Sequence, residues 1–238
     1  MNSGTTTTAG YKPIVPAGLD ARTRFITRVY AHVLAAIVAL VAVEVMLFKS
    51  GFAQTIRESM RGVPWVLILG AFMVVGWLAR RVVWKLDSVP AQYAALAFYI
   101  VAKALIFLPL LTRAERFAPG AVASAAQTTL AAAAALTLVV WWTRTDFTFL
   151  KGILRWGGMM ALLAIVSALL FGWQLGTWFN LGMVTLAGGS ILYDTSKVLK
   201  HYRRNRYVAE ALSLFASIAM MFFYILRQLT RAQRVVRG

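Results

Sequence analysis

Seven apolar runs, each about long enough to cross a bilayer, divide this chain of 238 residues. A helix rises about 1.5 Å per residue, so about 20 apolar residues span a hydrocarbon layer of ~30 Å. The runs extend approximately from Thr27 to Phe48, Val63 to Ala79, Pro90 to Thr112, Gly120 to Trp142, Ile153 to Gly172, Gly176 to Lys200 and Tyr207 to Leu229. They predict an all-α integral membrane protein, a bundle of seven transmembrane helices. Composition agrees: 60% of residues are hydrophobic and 14% charged, against about a quarter charged in a soluble domain. The chain divides into a flexible cytoplasmic tail (1–25), a membrane domain (26–230) and a basic C-terminal tail (231–238).

The formal charge of +17 would suit nucleic acid, but the cations fall mostly between the apolar runs. There they meet lipid headgroups and orient short loops, so the bilayer is the expected partner and nucleic acid is not. With the N-terminus inside, Lys and Arg number four, three, three and five in the inner segments and three, two, none and four in the outer ones. The bias of 15 over 9 predicts a multi-pass protein of the inner (cytoplasmic) membrane with its N-terminus in the cytoplasm. The Arg-rich C-terminus opposes it, and a last run that re-enters rather than crosses would remove that conflict. Residues 1–25 lack the apolar stretch of a secretory signal. The absence of cysteine excludes disulfides, thiol catalysis and cysteine metal sites.

An ionisable residue inside hydrocarbon costs on the order of 3 kcal/mol, which makes each one a functional candidate. Helical rise puts Glu44 ~26 Å and Lys103 ~20 Å from the cytoplasmic side, close enough in height for a structural ion pair. Asp194 lies at ~9 Å and Glu210 at ~5 Å, so these two acids share the inner side. Lys197, three residues beyond Asp194, is placed to neutralise it. Ala209, Ser213 and Ser217 recur every fourth residue in the seventh run, and Thr185, Gly188 and Gly189 lie in the sixth. Such small residues let helix backbones approach within lipid, so the last run is expected to face the sixth. Asp146 stands where an N-cap would open the fifth run.

The segments "FITRVYAHVLA", "AKALIFLPLL", "RTDFTFLKGIL", "LYDTSKVL" and "EALSLFASIAMMFFYILR", in that order, resemble the Bax inhibitor family, also called the transmembrane Bax inhibitor motif family. The resemblance covers all but the N-terminal tail. It implies a seven-helix bundle with the last helix central and a pH-sensitive cation leak, usually of calcium, controlled by aspartates on spans six and seven. Asp194 matches the first aspartate. Ser217 stands at the position of the second, Met220 at that of a family asparagine, and Lys103 where many bacterial members have an acid. Two close carboxylates share a proton near neutral pH, a property that Ser217 does not supply. Glu210, two helical turns (~10.5 Å) nearer the cytoplasm on the same face, is the candidate replacement. Asp194 is thus a weak calcium candidate, with transient Ca2+ the sole cofactor to consider.

Enzyme classes fit poorly. An intramembrane aspartyl protease needs a second acid, and His32 and His201 lie far apart without acidic co-ligands, so neither catalytic residues nor a metal site are expected. The resemblance also admits a non-conducting regulator, because some bacterial relatives are thought to interact with membrane-protein quality-control proteases under stress. The expectation is a monomer with a proton-linked rearrangement around Asp194, Glu210 and Ser217, Lys197, Lys103 and Glu44 being ion-pair candidates.

Overall fold

The computed structural model describes residues 19–59, 62–200 and 205–237. Eight α-helices follow one another: α1 (Leu19–Lys49), α2 (Phe52–Ser59), α3 (Trp65–Val83), α4 (Val89–Phe117), α5 (Ala121–Thr143), α6 (Leu150–Phe171), α7 (Thr177–Lys200) and α8 (Tyr207–Arg237), with a 3-10 turn at Phe147–Phe149. No strand occurs among the described residues. Among the described residues six helices, α1, α3, α4, α5, α6 and α8, are long and apolar enough to cross a membrane. The sequence reading has seven. The remaining run is α7, which has the length at 24 residues but whose apolar stretch is interrupted by the buried Asn180, Ser190 and Asp194.

Local chemistry fixes the helix ends. Ser88 caps α4, its side chain accepting from the Ala91 amide, with proline in the first turn, where its missing N–H costs nothing. α5 stops at Arg144, which turns left-handed at φ 49°, and α6 at Gly172, φ 70°, the backbone region that ends many helices. α1 begins at Leu19 and α8 runs to Arg237, so helix reaches into both segments read as tails; residues 1–18 and His201 lie outside the described residues. The short α2 is an addition to the sequence reading.

Burial separates α8 from the others. Of its apolar stretch 78% is buried, against 17 to 44% in the other five apolar helices. Phe223 of α8 stacks on Phe72 of α3 at 4.2 Å between ring centroids, and Phe72 stacks on Phe107 of α4 at 5.7 Å, offset aromatic contacts that add to simple area burial. Large apolar side chains such as Phe98, Trp142, Leu170 and Trp178 point outward, which suits a lipid solvent and no aqueous one.

The small residues of α7 diverge from expectation. Gly188 does face α8: a Cβ there would meet Met221 Cε at 3.6 Å and Leu136 Cδ1 of α5 at 3.4 Å. Gly189 turns instead toward Leu154 of α6, and Thr185 is exposed, its hydroxyl donating back to the Leu181 carbonyl. On α8, Ala209, Ser213 and Ser217 are all buried, as close helix packing requires.

Candidate functional site

Three helices converge on one carboxylate. Asp194, six residues before the end of α7, is 2% exposed. Ser217 of α8 donates its hydroxyl hydrogen to Asp194 Oδ2 at 2.7 Å. Arg80, in the last turn of α3, donates from Nη2 to Ser217 Oγ at 2.8 Å and holds Nη1 3.9 Å from the same Asp194 oxygen. The Ser213 carbonyl also lies 3.2 Å from Ser217 Oγ. A hydroxyl has one hydrogen to give, and the shorter contact to a charged acceptor takes it. Ser217 therefore relays the positive charge of Arg80 onto Asp194.

Sequence reasoning missed Arg80, since a cation at the end of an apolar run reads as a topological anchor. Its long side chain reaches back along the helix and keeps the head partly wet, at 32% exposure against 3% for the Asp194 side chain. The cue that could have found it is the opposite sign of Asp194 at a similar depth.

Lys197 does not neutralise Asp194. Its Nζ lies 3.1 Å from Glu210 Oε2 and 4.3 Å from the centre of the Trp84 ring, a cation placed on a π face. Glu210 is fully buried. The two acids thus sit at the same end of the bundle, each with its own cation, and Asp194 is bonded to Ser217 rather than to Glu210.

The expected pair of Glu44 and Lys103 does not form. Lys103, 1% exposed, donates to the Phe72 carbonyl at 3.0 Å, and its Nζ lies 3.2 Å from the centre of the Phe72 ring. Gly76 lies beside this group, where a Cβ would make ordinary contact at 3.6 Å with both Lys103 Nζ and Tyr99 Oη. Both carboxylate oxygens of Glu44 are buried without a hydrogen-bond partner. Helical rise gives height but not the direction in which a side chain leaves its helix, so equal depth did not make a pair.

Asp146 performs its capping role one turn earlier than a cap of α6 itself. Its Oδ1 accepts from the Thr148 amide at 2.9 Å at the start of the 3-10 turn. Lys200 Nζ, at the end of α7, lies 3.5 Å from Oδ2. Ser196 of α7 receives the Phe147 amide at 3.1 Å. Hydrogen bonds from Thr148, with Lys200 adding attraction, hold the Asp146 carboxyl down at about 2. The turn before α6 is thereby tied to the cytoplasm-side end of α7 as the sequence reading orients it.

No group of three or more His, Asp or Glu that could hold a metal occurs among the described residues. Around Asp194 the donor set is one carboxylate and one hydroxyl beside a guanidinium, which does not fit a resident calcium ion that seeks six to eight oxygens.

The family model described as "Inhibitor of apoptosis-promoting Bax1" matches residues 22–234. An uncharacterized protein of Pseudomonas aeruginosa is 34% identical over 95 residues, covering 39% of this chain and 41% of that protein. The match with that relative therefore spans less than half of its length.

Proposed function

This chain belongs to the Bax inhibitor family, and from that membership we propose that it is a proton-responsive membrane protein in which Asp194 latches α3, α7 and α8 together, with passive cation leak as the outcome of release. The single observation that carries the reading is the Arg80–Ser217–Asp194 triangle, which joins three helices at one end of the bundle. Protonating Asp194 removes the charge that Arg80 faces, and a charge-assisted contact becomes a neutral one of roughly half the strength. Arg80 then gains by turning fully to water. α3 loses its tie to α7 and α8, and the inner end of the bundle loosens. The leaking cation is cargo that passes, not a bound cofactor.

In this reading all seven apolar runs cross the membrane, with α7 as the sixth span. Its polar groups are tolerated because they face protein rather than lipid. α8 is the central rod, which its high burial supports. The N-terminus is cytoplasmic and the membrane the inner one. The protein acts as a monomer and catalyses no reaction.

The test is flux in liposomes that hold the purified protein and a cation-sensitive dye, measured as the pH is lowered stepwise from 8. Wild type leaks more as pH falls, while Asp194→Asn and Arg80→Gln are both leaky and flat across the range. A pH response that survives in both variants overturns the latch. Liposomes silent at every pH, with a membrane protease co-purifying, favour the regulator reading instead.

A further inference from the structure

At the end of the bundle away from Asp194, a cavity of about 670 Å³ opens between α3, α4, α6 and α8. Arg227 follows Glu210 by 17 residues along α8, ~26 Å of rise. The described lining brings together three guanidinium groups, Arg113, Arg227 and Arg231, and contains no carboxylate. Arg227 is only 6% exposed. The groups that hold it are neutral: it donates to Asn180 Oδ1 and, at 3.0 Å, to the Leu175 carbonyl. Asn180 is itself oriented by donating to Gln228 Oε1 at 2.9 Å. Arg231 donates to the same Leu175 carbonyl. The ionisable neighbours acting on Arg227 are Tyr224, Arg231 and Arg113, none of them an acid of opposite charge.

Arg227 and Arg231, one turn apart on α8, share the Leu175 carbonyl, whose dipole offsets only part of their mutual repulsion. A guanidinium has five N–H donors in a planar fork. Arg227 gives two to the protein, so N–H groups remain for an oxyanion. Forked donors suit phosphate and carboxylate oxygens better than a spherical halide. The lining also holds apolar groups, Trp65, Leu110 and Trp173, with the Arg113 guanidinium 5.9 Å from the centre of the Trp65 ring. A bare phosphate would leave most of the volume empty, whereas a phosphate that carries a glycerol and the start of an acyl chain would use both surfaces.

We propose that this cavity is a binding site for a phosphate-bearing anion, held by Arg113, Arg227 and Arg231. The inference is independent of the latch at Asp194, from which the cavity is separated by most of the bundle. Two sources share the chemistry, an anionic phospholipid headgroup and soluble phosphate, and the experiment separates them.

The full chain, purified in detergent, is offered equal amounts of phosphatidylglycerol and phosphatidylcholine, and retained lipid is counted by native mass spectrometry. In a parallel arm inorganic phosphate is titrated against its melting temperature. A lipid source gives preferential retention of phosphatidylglycerol, weakened roughly five-fold for each arginine removed in Arg113→Gln and Arg231→Gln. A soluble source gives a phosphate-dependent rise in melting temperature that the same variants lose. The control pair Lys151→Gln and Arg155→Gln, at the other end, changes neither. Equal losses in control and test variants reduce the effect to the chain's overall positive charge and overturn the site, as does no response in either arm. Should the variants fail to fold, a photoreactive phosphatidylglycerol on wild type decides: adducts on residues 172–175 or 227–231 support the site, and adducts confined elsewhere overturn it.

Discussion

At the scale of single residues, Ser217 is the position where this chain departs most informatively from the pattern it resembles. Its hydroxyl is both acceptor for Arg80 and donor to Asp194, so Ser217→Ala leaves a buried carboxylate and a guanidinium each short of a partner. Losing partners to a buried polar group costs about 1–3 kcal/mol, and denaturant unfolding in detergent should show a loss of that size. Ser217→Asp asks the opposite question. It places a second carboxylate against Asp194 and in reach of Arg80, and the two acids compete for one cation. The flux profile should then acquire a titration step absent from wild type, and an unchanged profile would show that position 217 does not bear on release. Lys103 is a different case. Its amine is buried against a carbonyl and an aromatic face, so Lys103→Met keeps the volume and removes a desolvated polar group. Relief from the cost of burying that group offsets the one hydrogen bond lost. The melting temperature of Lys103→Met should equal or exceed that of wild type, and a large drop would mean that the contact to the Phe72 carbonyl organises α3.

Among the elements, the turn that opens α6 shows how a loop carboxylate fixes helices it does not belong to. Asp146 is held down at about 2 by its hydrogen bonds to Thr148 and by Lys200, below the ordinary carboxylate value of about 3.9. The folded state therefore favours the anion. Its contribution is complete above the ordinary value, declines below it and is gone once pH has fallen through about 2. Asp146→Ala should lower the melting temperature by the same amount at pH 7 and pH 5, and the gap should narrow from about pH 4 downward. A gap that closes between pH 7 and pH 5 would refute the assignment. This cap was legible in the sequence because an N-cap is a local signal, an acid two residues before the amide it accepts. The element α2 was not, since eight residues of mixed polarity between two apolar runs carry no periodicity long enough to read. The partner of Asp194 was hidden for a third reason. Arg80 and Asp194 are 114 positions apart, and their meeting depends on how α3 is rotated against α7, which spacing along a chain does not encode.

For the whole molecule, the apolar runs announced the bundle almost without further help, because a bilayer accepts little besides helices of one length. What they left open is which helix lies inside. α8 is no more apolar than α1, yet far more of it is buried. Its buried face holds Ser213, Ser217, Glu210 and Arg227, and such groups are costly anywhere but between other helices. In the proposed reading the same logic lets α7 lie in the membrane: Asn180, Ser190 and Asp194 all have protein partners. If α7 crosses, the number of crossings is odd and the two ends of the chain lie on opposite sides. A chain without native cysteine allows this to be measured directly with single cysteines and a membrane-impermeant thiol reagent on intact cells. Gln174→Cys, between α6 and α7, should react from outside, while Ser88→Cys and Thr145→Cys should react only after the cells are opened. A cysteine added beyond Gly238 should react from outside with Gln174→Cys. Were it to react only in opened cells, an odd number of crossings would be overturned, since the uninterrupted helix α8 holds the arginines near its end against the loop at 172–175.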